Sequence, residues 1–325
     1  VNRSWESLIQ TELSNHPQEE QSAPGKVILC GEHSAVYGRP AIALPVSGLR
    51  AHARIRPGHP GAGLRLIAAD LGEEKNLRES AQDNPLAMAA RLTLKHLEQP
   101  EPDAVMIINS DLPIAAGLGS GAAISVAIIR ALIAYCGAQL STTEISDLAF
   151  EVEKLHHATP SGLDNTVIAW ERPIYFHKGH APEIFNLNTP LNLIIANCGV
   201  TSLTREAVLG VRRRWEKAPA DYETLFNRIG EIAPAVRNAI ETGDLPTLGA
   251  LLNTNHSLLQ KIGVSSPELD SLVATAQTAG ALGAKLTGGG MGGNIIALVR
   301  PETIPAIRQA LEEAGATQVW STTVS

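Results

Sequence analysis

Aromatic side chains are scarce: Phe, Tyr and Trp make up 4% of the 325 residues, so a core has to be built from Ala, Leu, Ile and Val. Hydrophobic residues reach 44%, enough for an ordinary globular protein and too many for a disordered one. Cysteine is scarcer still. Cys30, Cys136 and Cys198 stand far apart and form no metal-ligand spacing, a pattern of free thiols that predicts a reducing, cytoplasmic setting. An excess of positive charge is also missing. The net charge of −7 argues against a nucleic-acid partner, whose backbone demands Lys and Arg, but leaves room for a local basic site facing a small anion. The opening, VNRSWESLIQTELSNHPQEE, is polar and has no signal-peptide core. One uncharged stretch, Leu112 to Ile129, reaches the length of a membrane span. Pro113 and several Gly and Ser interrupt it, so it reads as a glycine loop entering a buried helix, with no membrane partner.

What is present is a mixture of short strands and blocks of helix. After a polar lead-in to about Ser22, β-type runs occupy 26–30, 51–55 and 64–69, punctuated by Gly and Pro. A helix follows Asn84, a strand covers 104–109, and a mostly apolar helix runs from Ser120 to about Tyr135. Residues 142–157 are amphipathic, with Thr142 as the expected N-cap and Glu144 in the first turn. A short strand near 174–176 and a connector lead to a strand at 191–197. Helices at about 203–216, 220–242, 246–261 and 267–279 follow, then strands near KLTG and at 294–299, a helix at 302–314 and a last strand. Without strict β-α alternation, this is an α+β chain.

Three segments look chemical. In PGKVILCGEHSAVYG (24–38), Lys26, Glu32 and His33 lie near the ends of one strand, where a lysine can serve a phosphate pocket or simply snorkel from an edge. In DLPIAAGLGSGAAISVA (111–127), Gly117, Gly119 and Gly121 precede and enter a helix, suiting either close packing or an anion on free N–H groups. It is neither the Walker pattern nor the dinucleotide fingerprint. In KLTGGGMGGNIIALV (285–299), five glycines among 288–293 form a bare flexible loop or a cover for phosphates. Between them, EVEKLHHATPSGLDNTV (151–167) offers Glu153 near a helix end and Asp164 after the turn Pro160-Ser161-Gly162, as a metal ligand and a proton acceptor or as ordinary surface carboxylates. His156 and His157 are adjacent, point apart on a helix and read as structural.

Taken together and in this order, the three glycine segments resemble the GHMP kinase superfamily. PGKVILCGEHSAVYG is most similar to its mevalonate kinase branch, and PSGLDN, ANCGVTSLTREAVLGV (196–211) and LLNTNHSLLQKIGVS (251–265) extend the likeness over nearly the whole chain. The resemblance implies a two-domain α+β kinase: an N-terminal α+β domain over 1–188, a ferredoxin-like C-terminal domain over 189–325, and an active site in the cleft between. It implies ATP and Mg²⁺, with mevalonate as the acceptor converted to 5-phosphomevalonate in isoprenoid biosynthesis. A homodimer is left open. By position, Lys26 and Asp164 match the catalytic pair, which also touches the acceptor, and Glu32, His33 and Thr204 match acceptor-side positions. Ser110, Pro113, Gly117, Leu118, Gly119, Ser120, Gly121 and Ala122, with Gly288, Gly289 and Gly290, match the ATP site, and Glu153 with Ser120 the metal site. The family usually carries a second serine where Gly121 stands, so metal binding rests on Glu153, ATP oxygens, water or Ser120. The third motif also departs, at Gly289, Met291 and Asn294. Rival readings are a phosphomevalonate kinase, which tends to have Tyr in place of His33, a galactokinase or homoserine kinase, and a ligand sensor without catalysis.

Overall fold

The computed structural model describes residues 19–113, 117–156, 160–201 and 204–325. The chain begins with β1 (Glu19–Cys30), a single 3₁₀ turn (Ser34–Tyr37), β2 (Ala41–Pro57), β3 (Leu64–Ala68) and β4 (Glu73–Asn76). Then come α1 (Pro85–His96), β5 (Ala104–Ser110), α2 (Ser120–Tyr135), α3 (Thr142–His156), α4 (Leu163–Trp170), β6 (Ile174–Phe176) and β7 (Glu183–Ile184). The second half contains β8 (Leu191–Asn197), α5 (Thr204–Lys217), α6 (Pro219–Thr242), α7 (Leu245–Ile262), α8 (Pro267–Thr278), β9 (Gly283–Thr287), β10 (Asn294–Val299), α9 (Ile304–Glu313) and β11 (Gln318–Val324).

The first half folds as a seven-stranded mixed sheet, in the order β4-β3-β5-β2-β6-β7 with β1 also on β2. Alternation along β5 sorts its residues: Ala104, Met106 and Ile108 join the main core, while Val105 and Ile107 form a small apolar cluster with Ile67 on the other face. The second half has an antiparallel sheet in the order β11-β8-β10-β9, the fourth-first-third-second arrangement of a split βαβ unit. One contiguous apolar core runs through both halves, joining Ile28 and Leu44 to Ile195 and Leu286.

Local chemistry explains the helix starts. Asn84, Asp244 and Ser266 each accept a first-turn N–H with their side chains, and each cap contributes about 1 kcal/mol. For α3 the expected Thr142 cap is displaced by one residue. Ser141 Oγ accepts from Glu144 N at 3.2 Å while Glu144 Oε2 accepts from Ser141 N at 2.7 Å, a reciprocal capping box.

Three further features depart from the sequence reading. The polar lead-in already contains the start of β1 at Glu19. Strand β2 is longer than expected, because its pairing with β1 jumps from Pro24↔Arg50 to Gly25↔Val46 and extrudes the exposed Ser47 and Gly48, breaking the alternation. Strand β4, Glu-Glu-Lys-Asn, has no apolar signal because it is an exposed sheet edge. Within the long uncharged stretch, the residues from Ser120 on form the buried helix α2 as expected, and no helix among the described residues is long and apolar enough to cross a membrane.

Candidate active site

The site gathers where the end of β1 passes beneath the start of α2. Lys26 N donates to Leu118 O at 2.9 Å, fixing the second glycine segment to β1. The lysine stem then runs under Gly119, where a Cβ would lie 3.0 Å from Lys26 Cγ and 2.9 Å from Ile168 Cδ1. Gly119 also has φ +74°, so both space and backbone require glycine there. The stem emerges at Asp164: Lys26 Nζ lies 3.0 Å from Asp164 Oδ1, with the lysine side chain 3% and the aspartate 27% exposed. One partner is anchored and the other faces solvent.

Asp164 follows the turn at Ser161 and Gly162, as the sequence suggested, but a helix that the sequence did not predict begins there. It occupies the first turn of α4, a helix too short, at eight residues, to announce itself by periodicity. Gly162 at φ +89° opens that helix, and Thr166 Oγ1 donates back to Gly162 O at 2.6 Å. Asn165 Nδ2 donates to Ser146 O at 3.1 Å and Ser146 Oγ at 2.9 Å, tying α4 to α3. Glu153 lies seven residues beyond Ser146, on the same face of α3. Burial pushes its carboxyl up to about 8, the charge of Asp164 adds to that shift, and Lys26 opposes it. Two carboxylates and one ammonium thus interact in a largely buried space, short of positive charge.

The glycine segments converge on the same point. Helix α2 starts at Ser120 behind Gly119, and among the described residues no side chain caps its first N–H groups. Gly121 is exposed with open space around its missing Cβ, and Ala122 is buried. Ser110 ends β5, its N–H on Asp70 Oδ2 at 2.6 Å and its Oγ accepting from Leu112 N at 3.1 Å, with Pro113 leading into the loop. The third glycine segment is no bare flexible loop. Met291 N donates to Val264 O at 2.7 Å and Gly293 N to Val200 O at 2.8 Å, and Gly288, Gly290, Met291, Gly292 and Gly293 all have positive φ. It meets the second segment directly at Gly117, where a Cβ would fall 3.0 Å from Thr287 O.

The turn after β1 is engaged from the second half of the chain. His33, itself at φ +61°, places Nε2 2.9 Å from Gly289 O, so this nitrogen carries the proton and donates. Burial pulls its pKa down to about 4, against the bond to Gly289 and with the help of the Arg214 charge. His33 is a neutral donor, not a cation. Glu32 is buried and accepts from Lys285 Nζ and, at 3.0 Å, from Asn255 Nδ2. Thr204 opens α5, but its side chain lies outside the described residues, as do residues 157–159 with His157 and the side chain of His156.

Lys285, Asn255 and Thr287 were not singled out from the sequence. A lysine in the apolar run GAKLT was the available signal, since a buried ammonium requires a counter-ion, but the sequence could not say which carboxylate supplies it. As to a metal, no cluster of three or more His, Cys, Asp or Glu forms a cation cage among the described residues. The site fits Mg²⁺ all the same, because that ion needs only one or two carboxylates plus phosphate oxygens and water.

Comparison with known proteins places this architecture. The GHMP kinases N terminal domain family matches residues 84–171, and the GHMP kinases C terminal family matches 233–317. The mevalonate kinase of Pyrococcus horikoshii is 36% identical over 90% of this chain and 92% of its own. The crystal structure of L. major mevalonate kinase in complex with R-mevalonate superposes with a TM-score of 0.81 at 31% identity, covering 94% of this chain and 96% of that one. The Methanococcus jannaschii mevalonate kinase gives a TM-score of 0.83 at 26% identity, covering 96% and 100%. A kinase fold built around a Lys-Asp pair, two facing glycine segments and near full-length similarity assign this chain to the GHMP kinases, within the mevalonate kinase family.

Proposed function

We propose that this kinase transfers the γ-phosphoryl group of ATP to the primary hydroxyl of mevalonate, giving 5-phosphomevalonate. The observation that carries the reading is the Lys26–Asp164 pair, 3.0 Å apart beside the two glycine segments, in a fold shared with a relative solved in complex with R-mevalonate. Phosphoryl transfer needs in-line positioning and charge stabilisation more than covalent chemistry. Asp164, on its exposed side, accepts or orients the hydroxyl proton. Lys26 holds Asp164 in place and meets the charge developing on the attacking oxygen. The uncapped amides of residues 120–122 and the turn at Gly288–Gly290 receive the phosphates, with Ser110 and Pro113 framing the loop entry. Glu153, with help from Ser120, would hold Mg²⁺, which would supply neutralising charge to the triphosphate. Acceptor-side contacts fall to the His33 and Thr204 end of the cleft, and His33, being neutral, contributes hydrogen bonding rather than a positive charge.

A substrate panel tests this. Purified protein is incubated with ATP, Mg²⁺ and, separately, mevalonate, phosphomevalonate, galactose and homoserine, and products are identified by mass and position of the phosphate. Mevalonate alone should be phosphorylated, since a missing polar partner in a closed site costs ~1–3 kcal/mol or more. Turnover of another acceptor, with none on mevalonate, would overturn the substrate and leave the kinase class standing.

A further inference from the structure

The largest buried charge in the second half of the chain has no part in the chemistry described above. Lys285 is 0% exposed in the middle of β9, and its ammonium is fully spent. It donates to Glu32, to Ile28 O at 3.2 Å and to Leu286 O at 2.5 Å. Glu32, 2% exposed, is completed by Asn255 Nδ2 from α7. Beside this pair, Thr287 Oγ1 accepts from Ile28 N at 3.0 Å and lies 3.3 Å from Ile28 O. One residue past the pair, His33 bonds Gly289 O. The strand that carries Lys26 and the turn after it are therefore fastened, at Ile28, Glu32 and His33, to β9 and the third glycine segment that follows it. Three fastenings join two segments that flank the phosphate-transfer site from opposite halves of the fold.

Energetics argue that such a pair serves geometry. A buried ion pair is weak evidence for stability, because desolvation offsets the attraction, whereas apolar residues of the same volume would hold the halves together as well. Its directionality is what an apolar contact lacks. We propose that Lys285 and Glu32 are positioning residues: their buried pair clasps the turn after β1 to β9, and thereby sets Lys26 and His33 against the glycine segment at 288–293. Lys285 touches no substrate in this arrangement, and Glu32 acts through the turn and not as an acceptor ligand.

The activity arm of the test rests on the kinase reading; a hydrogen-exchange arm does not. Lys285→Met, Glu32→Gln and the double variant are compared with wild type for kcat, for KM of ATP and of mevalonate, and for amide exchange over residues 28–34. Each variant should lose kcat on the order of 10²-fold, as expected for a misplacement of about 1 Å, with the KM of ATP within about twofold. The double variant should be no worse than the more affected single one, since one clasp is broken in all three. Exchange over 28–34 should quicken at least about tenfold in each. A single variant with a stranded charge can fail to fold, and the double variant, which removes both charges, then decides. Wild-type kcat and exchange in a folded double variant overturn the proposal. So does a raised KM for mevalonate in Lys285→Met that Glu32→Gln does not share, which would make Lys285 an acceptor ligand. A wild type inert toward mevalonate sinks the substrate reading alone, and the exchange arm still reads the clasp.

Discussion

Gly117 and Gly288 lie back to back. A Cβ built on Gly288 would fall 2.8 Å from Gly117 Cα, and both residues have positive φ, at +84° and +81°. The second and third glycine segments thus come together by backbone contact, with no side chain between them. Gly288→Ala should push the two apart and strain the backbone by about 1–2 kcal/mol. The expected result is a KM for ATP raised about tenfold or more, for about 1.4 kcal/mol of lost binding per factor of ten. Steady-state kinetics with ATP varied would check this. An unchanged KM would show that the contact is only structural.

Asp164→Asn should leave the fold and ATP affinity near normal and cut turnover on the order of 10²-fold or more. The fold survives because the Glu153 carboxyl can take over the negative charge that faces Lys26 once Asp164 is neutral. Losing the Asp164 charge removes one of the causes that keep the Glu153 carboxyl protonated, so it ionises more readily. Turnover within a few-fold of wild type in a folded variant would remove Asp164 from the mechanism.

Metal dependence should follow Glu153 and Gly121. Glu153→Gln removes the buried carboxylate that suits a hard cation and should raise the Mg²⁺ requirement strongly, read as activity against free Mg²⁺. Gly121→Ser restores the hydroxyl that the family usually carries. Nothing lies within 4 Å of the added Cβ and the position is helical, so the variant should fold, gain about 0.5 kcal/mol of helix stability and need less Mg²⁺. An unchanged Mg²⁺ dependence in Glu153→Gln rules out the assignment.

His33 should stay neutral through the physiological range. Its pKa of about 4 in the fold lies below the ordinary 6.5, so the unfolded chain takes up this proton first. Its contribution to stability is therefore complete above about pH 6.5 and is lost as pH falls toward 4. Long-range ¹H–¹⁵N spectra should show His33 as the Nε2–H tautomer at pH 5.5. Titration of this ring near its ordinary value would refute the buried donor to Gly289.

Much of this was readable from residue order. The long helices, the inner strands and the residues Lys26, Glu153 and Asp164 follow from periodicity, capping residues and motif resemblance. What escaped had physical reasons. Helix α4 spans two turns and so has no period to detect, and β4 carries only charged and polar residues because its edge faces water. The buried lysine of β9 could be noticed, but its counter-ion stands 253 residues away, and no local pattern names a partner at that distance. The meaning of the glycines at 288–293 was likewise open, because flexibility and a fixed left-handed turn demand the same residue.

That same separation bears on how the chain is made. During synthesis the turn at Glu32 leaves the ribosome long before Lys285 has been added, so the carboxylate stays without its partner until β9 has been made. The apolar core is continuous across both halves and cannot close around an unmatched charge. Closing the core around Glu32 therefore waits for β9, and a nascent chain stalled before that strand should be cut by protease more readily than one that includes it.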